Sequence, residues 1–127
     1  MKLKIQNGEL KKIDEFLQTL ALSGKASRGK VKLKRRVLEK LNEFSVDFES
    51  VRNDEETDQT KRNEQLIELI KEDAVIDMSE YANQLTALKD ALEDYGEKMQ
   101  GDDAIAHDVL LDALETEVEE TQYQEVE

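Results

Sequence analysis

Apolar and polar residues change their spacing several times along this chain, and each change marks an element. Lys2 to Gln6 alternates, with Leu3 and Ile5 on one face, and stops at Asn7-Gly8, a turn dipeptide, so this segment predicts a short strand. From Glu9 to Leu22 the spacing becomes helical. Ile13, Phe16, Leu17, Leu20 and Ala21 share a face, and Ser23-Gly24 offers a glycine C-cap. Lys25 to Lys30 mixes Ser27 and Gly29 with basic residues and reads as a loop or a frayed helix start. Val31, Val37, Leu38, Leu41, Phe44, Phe48 and Val51 then form one stripe over about six turns, since each helical residue advances ~100°. This long helix is the expected spine of the fold.

Asn53 to Thr60 is polar, acidic and without apolar period, which predicts a loop. Lys61 to Asp73 carries Leu66, Ile67 and Ile70, enough for a short helix with Thr60 as N-cap. Ala74 to Met78 is a second strand candidate, and pairing it with residues 2–6 gives a two-stranded ribbon that needs a helix on its face. Asp77 and Glu80 have the spacing of a capping box, with Ser79 as the other capping candidate. Tyr81, Leu85, Leu88, Leu92 and Tyr95 define the clearest helix, closed by Gly96. After Gly101-Asp102-Asp103, a last helix places Ile105, Ala106, Val109, Leu110, Ala113, Leu114 and Val118 at helical spacing. Asp90-Ala-Leu-Glu93 recurs as Asp112-Ala-Leu-Glu115, an echo that chance or a shared amphipathic design explains and that also suggests an antiparallel helical hairpin.

The expected fold is mostly α, a compact bundle of four or five helices with at most a small two-stranded ribbon joining 2–6 to 74–78. Residues 1–118 form a single helical domain, and 119–127 an acidic, disordered tail. The expected core is Ile13, Phe16, Leu17, Leu20, Leu38, Leu41, Phe44, Phe48, Leu66, Ile70, Leu85, Leu88, Leu92, Val109, Leu110 and Leu114. Composition agrees: 127 residues suit one domain, proline is absent, and only 5% of the residues are aromatic, so the core must be aliphatic.

Composition also removes several chemistries. With no cysteine there is no disulfide, thiolate zinc site or cysteine nucleophile. His107 is the only histidine, and a helix position beside Ala106 and Asp108 suits a surface or half-buried ring better than a catalytic one. Asp54, Glu55, Glu56 and Asp58 lack the ligand spacing and central glycine of a calcium loop. Ser23-Gly-Lys-Ala-Ser-Arg-Gly-Lys30 lacks the order of a phosphate-binding loop, because Val31 follows Gly29-Lys30. The chain thus reads as non-enzymatic, without metal or cofactor. No apolar run approaches the ~20 residues that span a bilayer, and the N-terminus lacks a signal-peptide pattern, so no membrane is expected and the protein reads as intracellular.

Charge changes the picture most. Residues 1–41 hold 12 Lys/Arg against 4 Asp/Glu, whereas residues 42–127 hold 6 against 27. Like charges clustered in one segment persist when solvated, offset by another segment, or matched to a partner. The basic run Lys25, Arg28, Lys30, Lys32, Lys34, Arg35, Arg36 and Lys40 is a candidate phosphate-contacting surface, with Lys32, Arg35 and Arg36 opposite the apolar stripe. The lack of interleaved aromatics and the acidic remainder weigh against direct nucleic-acid binding. Acidic helices of residues 54–127 offer the converse, rows of carboxylates that resemble a phosphate ladder and dock on a basic groove of another protein. The residues singled out for binding are Lys32, Arg35 and Arg36, and Asp54, Glu55, Glu56 and Asp58.

Three segments carry a family resemblance: Met1-Lys-Leu-Lys-Ile-Gln-Asn-Gly8, Leu22-Ser-Gly-Lys-Ala-Ser27 leading into a basic helix, and Gly101-Asp-Asp-Ala-Ile-Ala-His-Asp-Val-Leu-Leu-Asp-Ala-Leu-Glu115. Together they look like a family of small uncharacterised proteins of tailed phages and prophages of Gram-positive bacteria, over nearly the whole chain except the 53–60 loop and the tail. The resemblance implies an origin and no catalytic residues. It implies work in the cytoplasm of a bacterial host, where small acidic phage proteins act by binding. The leading expectation is an accessory protein that binds and inhibits a host protein, such as a nucleic-acid-handling or defence factor. Alternatives are a virion or tail-module component or assembly chaperone, and a helical nucleic-acid-binding regulator using residues 25–40.

Overall fold

The computed structural model describes residues 2–95 and 99–126, with residues 117–126 described by backbone alone. It contains strand β1 (Lys2–Gln6), a 3₁₀ turn (Asn7–Glu9), helices α1 (Leu10–Thr19), α2 (Gly24–Arg52) and α3 (Gln59–Lys71), strand β2 (Asp73–Asp77), a second 3₁₀ turn (Ser79–Tyr81), and helices α4 (Ala82–Glu93) and α5 (Asp102–Val126). The architecture is the expected mostly α bundle with a small ribbon.

The ribbon pairs β1 antiparallel to β2, with Leu3 opposite Ile76 and Ile5 opposite Ala74. All four side chains are buried, while Lys2, Lys4, Gln6, Asp73, Val75 and Asp77 face outward. Period-two alternation thus gives the strands one apolar face, and α5 packing on β1 supplies the cover that two strands alone lack. The core combines this face with Leu10, Ile13, Phe16 and Leu17 of α1, Leu33 and Val37 of α2, Leu85, Leu88 and Leu92 of α4, and Ala106, Leu110 and Leu114 of α5.

Several boundaries move for local physical reasons. Helix α1 ends at Thr19, whose hydroxyl donates to the Phe16 carbonyl (2.9 Å), and Leu20 is extended. Gly24 therefore does not cap α1. It opens α2 at φ 61°, a left-handed conformation that glycine adopts without strain. Residues 25–30 are helical and not a loop, because Gly29 is buried against the backbone of α4. An added Cβ there would lie 2.5 Å from the Gln84 carbonyl oxygen. Glycine disfavours a helix interior by about 1 kcal/mol, and here the close approach of two helices offsets that.

The N-cap of α3 is Asp58, whose Oδ1 accepts from the Lys61 amide (3.1 Å), in place of Thr60. Asp77 accepts from the Ser79 amide (3.0 Å) at the turn before α4, but neither Asp77 nor Ser79 is a helix N-cap: Met78 precedes the 3₁₀ turn and Tyr81 precedes α4, and neither makes a side-chain cap bond. Asn7-Gly8, a hairpin signal by sequence, serves a contact far along the chain. Asn7 Nδ2 donates to the Leu69 carbonyl (2.9 Å) and its amide to the Glu72 carbonyl (2.9 Å), so it closes the end of α3. Gly101 is left-handed, and Asp102 and Asp103 occupy the first turn of α5, where the helix dipole favours anions. Gly96, expected to cap α4, lies outside the described residues. Residues 119–126, expected as a tail, continue α5.

Two expected core residues are on the surface: Leu38 is 42% and Ile70 39% exposed. Leu41, Phe44, Phe48, Leu66 and Val109 are half-buried. The inward face of α2 runs through Gly29, Leu33 and Val37, which turns Val31 and Leu38 outward. A Gly29→Ala variant should push α2 from α4 and lower stability by about 1–3 kcal/mol in urea denaturation. An unchanged midpoint would show that this approach is not needed.

Candidate functional site

Basic residues of α2 divide by direction. Lys30 Nζ donates to the Leu20 carbonyl (2.8 Å) and Lys34 Nζ pairs with Asp14 (2.9 Å), so two lysines one turn apart tie α2 to α1. Lys32 leans the other way, donating to Gln84 Oε1 (2.8 Å) with its ammonium 4.4 Å from the Tyr81 ring centre. Arg36 pairs with Glu39 (3.5 Å) and Lys40 with Glu43 (3.5 Å) along α2 itself. Of the three basic candidates, Lys32 is thus engaged in the α2–α4 seam, Arg36 has a partner on its own helix, and Arg35 points to solvent.

The acidic candidates are also of two kinds. Asp54 accepts from the Glu56 amide (3.1 Å) and the Thr57 hydroxyl (2.7 Å), which folds the loop, and Asp58 caps α3. Glu55 and Glu56 are the exposed pair. The structure does not bring the acidic and basic sets together. Arg35 and Arg52 are 17 residues apart on one helix, about 26 Å along its axis, and the acidic loop follows Arg52.

What the structure adds is the surface beside that loop. The core cluster includes Leu33 and Val37 and reaches Leu41 on α2, but Phe44, Phe48 and Val51 lie beyond it. There α2 is faced by α3, a helix with no buried residue although it carries Leu66, Ile67, Leu69 and Ile70. Ile67 is 53% exposed. These four span about 160° of the helix circumference at ~100° per residue, too wide an arc to bury against one neighbour. Phe44 and Phe48 meet edge to face at 5.8 Å and, with Gly8 and Ile70, line an apolar groove of about 350 Å³ rimmed by Ser45 and Glu49. At Gly8 a Cβ would sit 2.8 Å from Ile70, so glycine lets the turn seat under α3.

This arm, residues 42–73, holds 11 Asp/Glu against 4 Lys/Arg. Its surface is therefore apolar within an acidic surround. Periodicity had placed Phe44, Phe48, Leu66 and Ile70 in the core. The wide arc of aliphatics on α3 was the sequence signal that they exceed what one neighbour covers.

His107 stands elsewhere. Its Nε2 lies 2.8 Å from the Leu92 carbonyl, which accepts from the protonated nitrogen, and its ring meets Phe16 edge-on at 5.9 Å. It ties α5 to the end of α4. Among the described residues no cluster of three or more His, Cys, Asp or Glu is arranged to hold a metal ion, and no helix is long and apolar enough to cross a membrane.

Bundle, ribbon and the α2–α3 pair together define a small mostly α domain with a partly exposed apolar arm. No family model matches the chain, and no curated protein or solved structure matches it.

The loop leads to a pH expectation. The Thr57 hydroxyl, followed by the Glu56 amide, holds the Asp54 carboxyl below the usual carboxylate range. Because the folded value is the lower one, the carboxylate's contribution to folding is present above the unfolded value and lost as pH falls through the folded value. Thr57→Val should raise the Asp54 titration midpoint toward the ordinary range, read by carboxyl ¹³C NMR. An unshifted midpoint would remove the hydroxyl as the cause.

Proposed function

We propose that this chain acts by stoichiometric binding, as a phage-type accessory protein that engages a host protein through the α2–α3 arm and alters its activity. The observation that carries this reading is α3 itself: four aliphatic residues on a helix of which none is buried. Exposed apolar surface bordered by charge is the composition of an interaction site, with the apolar centre supplying affinity and the rim supplying orientation and on-rate. The acidic surround selects a partner whose contact surface is basic around an apolar centre. Proteins that handle nucleic acid present such surfaces, which fits a host replication or defence factor as the target.

The experiment is an affinity capture from infected host lysate, with nuclease treatment and a salt series, using wild type, Ile67→Glu and Ser45→Arg. One host protein should be retained after nuclease by wild type and lost by both variants, with helical circular dichroism unchanged. Phage structural proteins in its place would move the function to virion or tail assembly. Recovery abolished by nuclease would move it to nucleic-acid binding.

A further inference from the structure

A second surface, on the opposite end of α2, is left unused by the folding of the domain. Arg28, Val31, Arg35 and Leu38 follow one another at spacings of three, four and three, so they share one outward face of the helix. Val31 is 48% and Leu38 42% exposed, and both line a shallow groove of about 350 Å³ between α1 and α2, with Leu17 in its lining and Lys34 and Arg35 beside it. Neither Arg28 nor Arg35 has an ion-pair or hydrogen-bond partner among the described residues. The first turn of α2 contains no acidic residue, and Ser23 makes no side-chain cap bond. Lys25 and Arg28 therefore oppose the helix dipole with no internal anion to offset them.

We infer that this groove binds an acidic amphipathic helix of a partner protein, independently of the arm. Its aliphatic side chains seat against Val31 and Leu38, and its carboxylates reach Arg28 and Arg35. The three-four-three spacing is the pattern that one helix offers another, since side chains so placed interdigitate with an i, i+3, i+7 row. Charge fixes the sign of the occupant. Residues 24–41 hold 8 Lys/Arg against 1 Asp/Glu, and two of the arginines flank the apolar pair directly. A nucleic-acid backbone would satisfy the arginines but leave Val31 and Leu38 uncovered, and the stripe carries no aromatic ring on which a base could stack.

The test uses the full chain and a fluorescein-labelled peptide of about 20 residues, long enough to be helical when docked. The peptide has leucines at heptad a and d positions and glutamates at e and g, and single- and double-stranded DNA of equal length serve as comparators. Fluorescence anisotropy at physiological salt should show peptide binding weakened at least about tenfold by Arg35→Glu and lost in Leu38→Glu. Ile67→Glu, on the arm, should bind as wild type, which separates this groove from the arm reading. Val31→Glu provides an independent apolar variant should Leu38→Glu disturb the circular dichroism. No binding at about 100 μM protein, binding indifferent to both Arg35→Glu and the apolar variants, or tighter binding of DNA than of peptide would each overturn the inference.

Discussion

Helix α2 is longer than anything that packs against it, and most of the structure follows from that mismatch. At 29 residues it extends about 43 Å, whereas α1 with 10 and α4 with 12 reach about 15 and 18 Å. Gly29 lets α4 approach the first half of α2, and Lys30 and Lys34 fasten α1 to the same half. Beyond Leu41 neither helix remains to cover it. The second half of α2 and α3 then have chiefly one another, which is why two phenylalanines and four aliphatics stay partly in solvent.

This division separates two kinds of stability. The bundle and ribbon share one cluster of buried apolar side chains, whose loss would cost several kcal/mol per large side chain. The arm depends on half-buried contacts, the Asp58 cap and the two hydrogen bonds of Asn7. Few buried apolar contacts and exposed helix hydrogen bonds mark a segment that opens locally at lower free energy than the core. Binding surfaces are commonly drawn from such segments, because the same unburied side chains that weaken the arm remain available to a partner.

Periodicity carried most of the fold in the sequence. The ribbon, its partner strands and the inward faces of α1, α4 and α5 were legible because alternation and helical spacing each leave a strong pattern in Leu3, Ile5, Leu85, Leu88 and Leu110. The inward face of α2 was not, because one of its contacts is Gly29, which carries no hydrophobic signal. Without it, the stripe is drawn through Val31 and Leu38. Asn7 escaped for a different reason: its partner is 62 residues away, and a turn dipeptide reports only local geometry. For the candidate site, residue type identified charged positions but not their employment. Lys32 and Asp58 are bound within the domain, whereas Arg35 and Glu55 face outward, and nothing in their spacing distinguishes them.

The sorted charge then acquires a physical meaning that the net charge of −13 hides. Exposed charges act over about 8 Å at physiological salt, while Arg35 and the acidic loop that follows Arg52 are separated by about 26 Å along α2. Each end therefore presents its own sign to an approaching molecule. A basic patch on an acidic protein is not cancelled by the remote carboxylates, and with Lys30, Lys32 and Lys34 engaged within the domain, Lys25, Arg28 and Arg35 are exposed charges that a ligand meets. One helix thus carries two apolar surfaces of opposite surround, too far apart to neutralise each other and too similar in construction to need different chemistry. Partners of opposite charge would occupy them without competing, so the order of charge along the sequence is what would keep the two sites distinct.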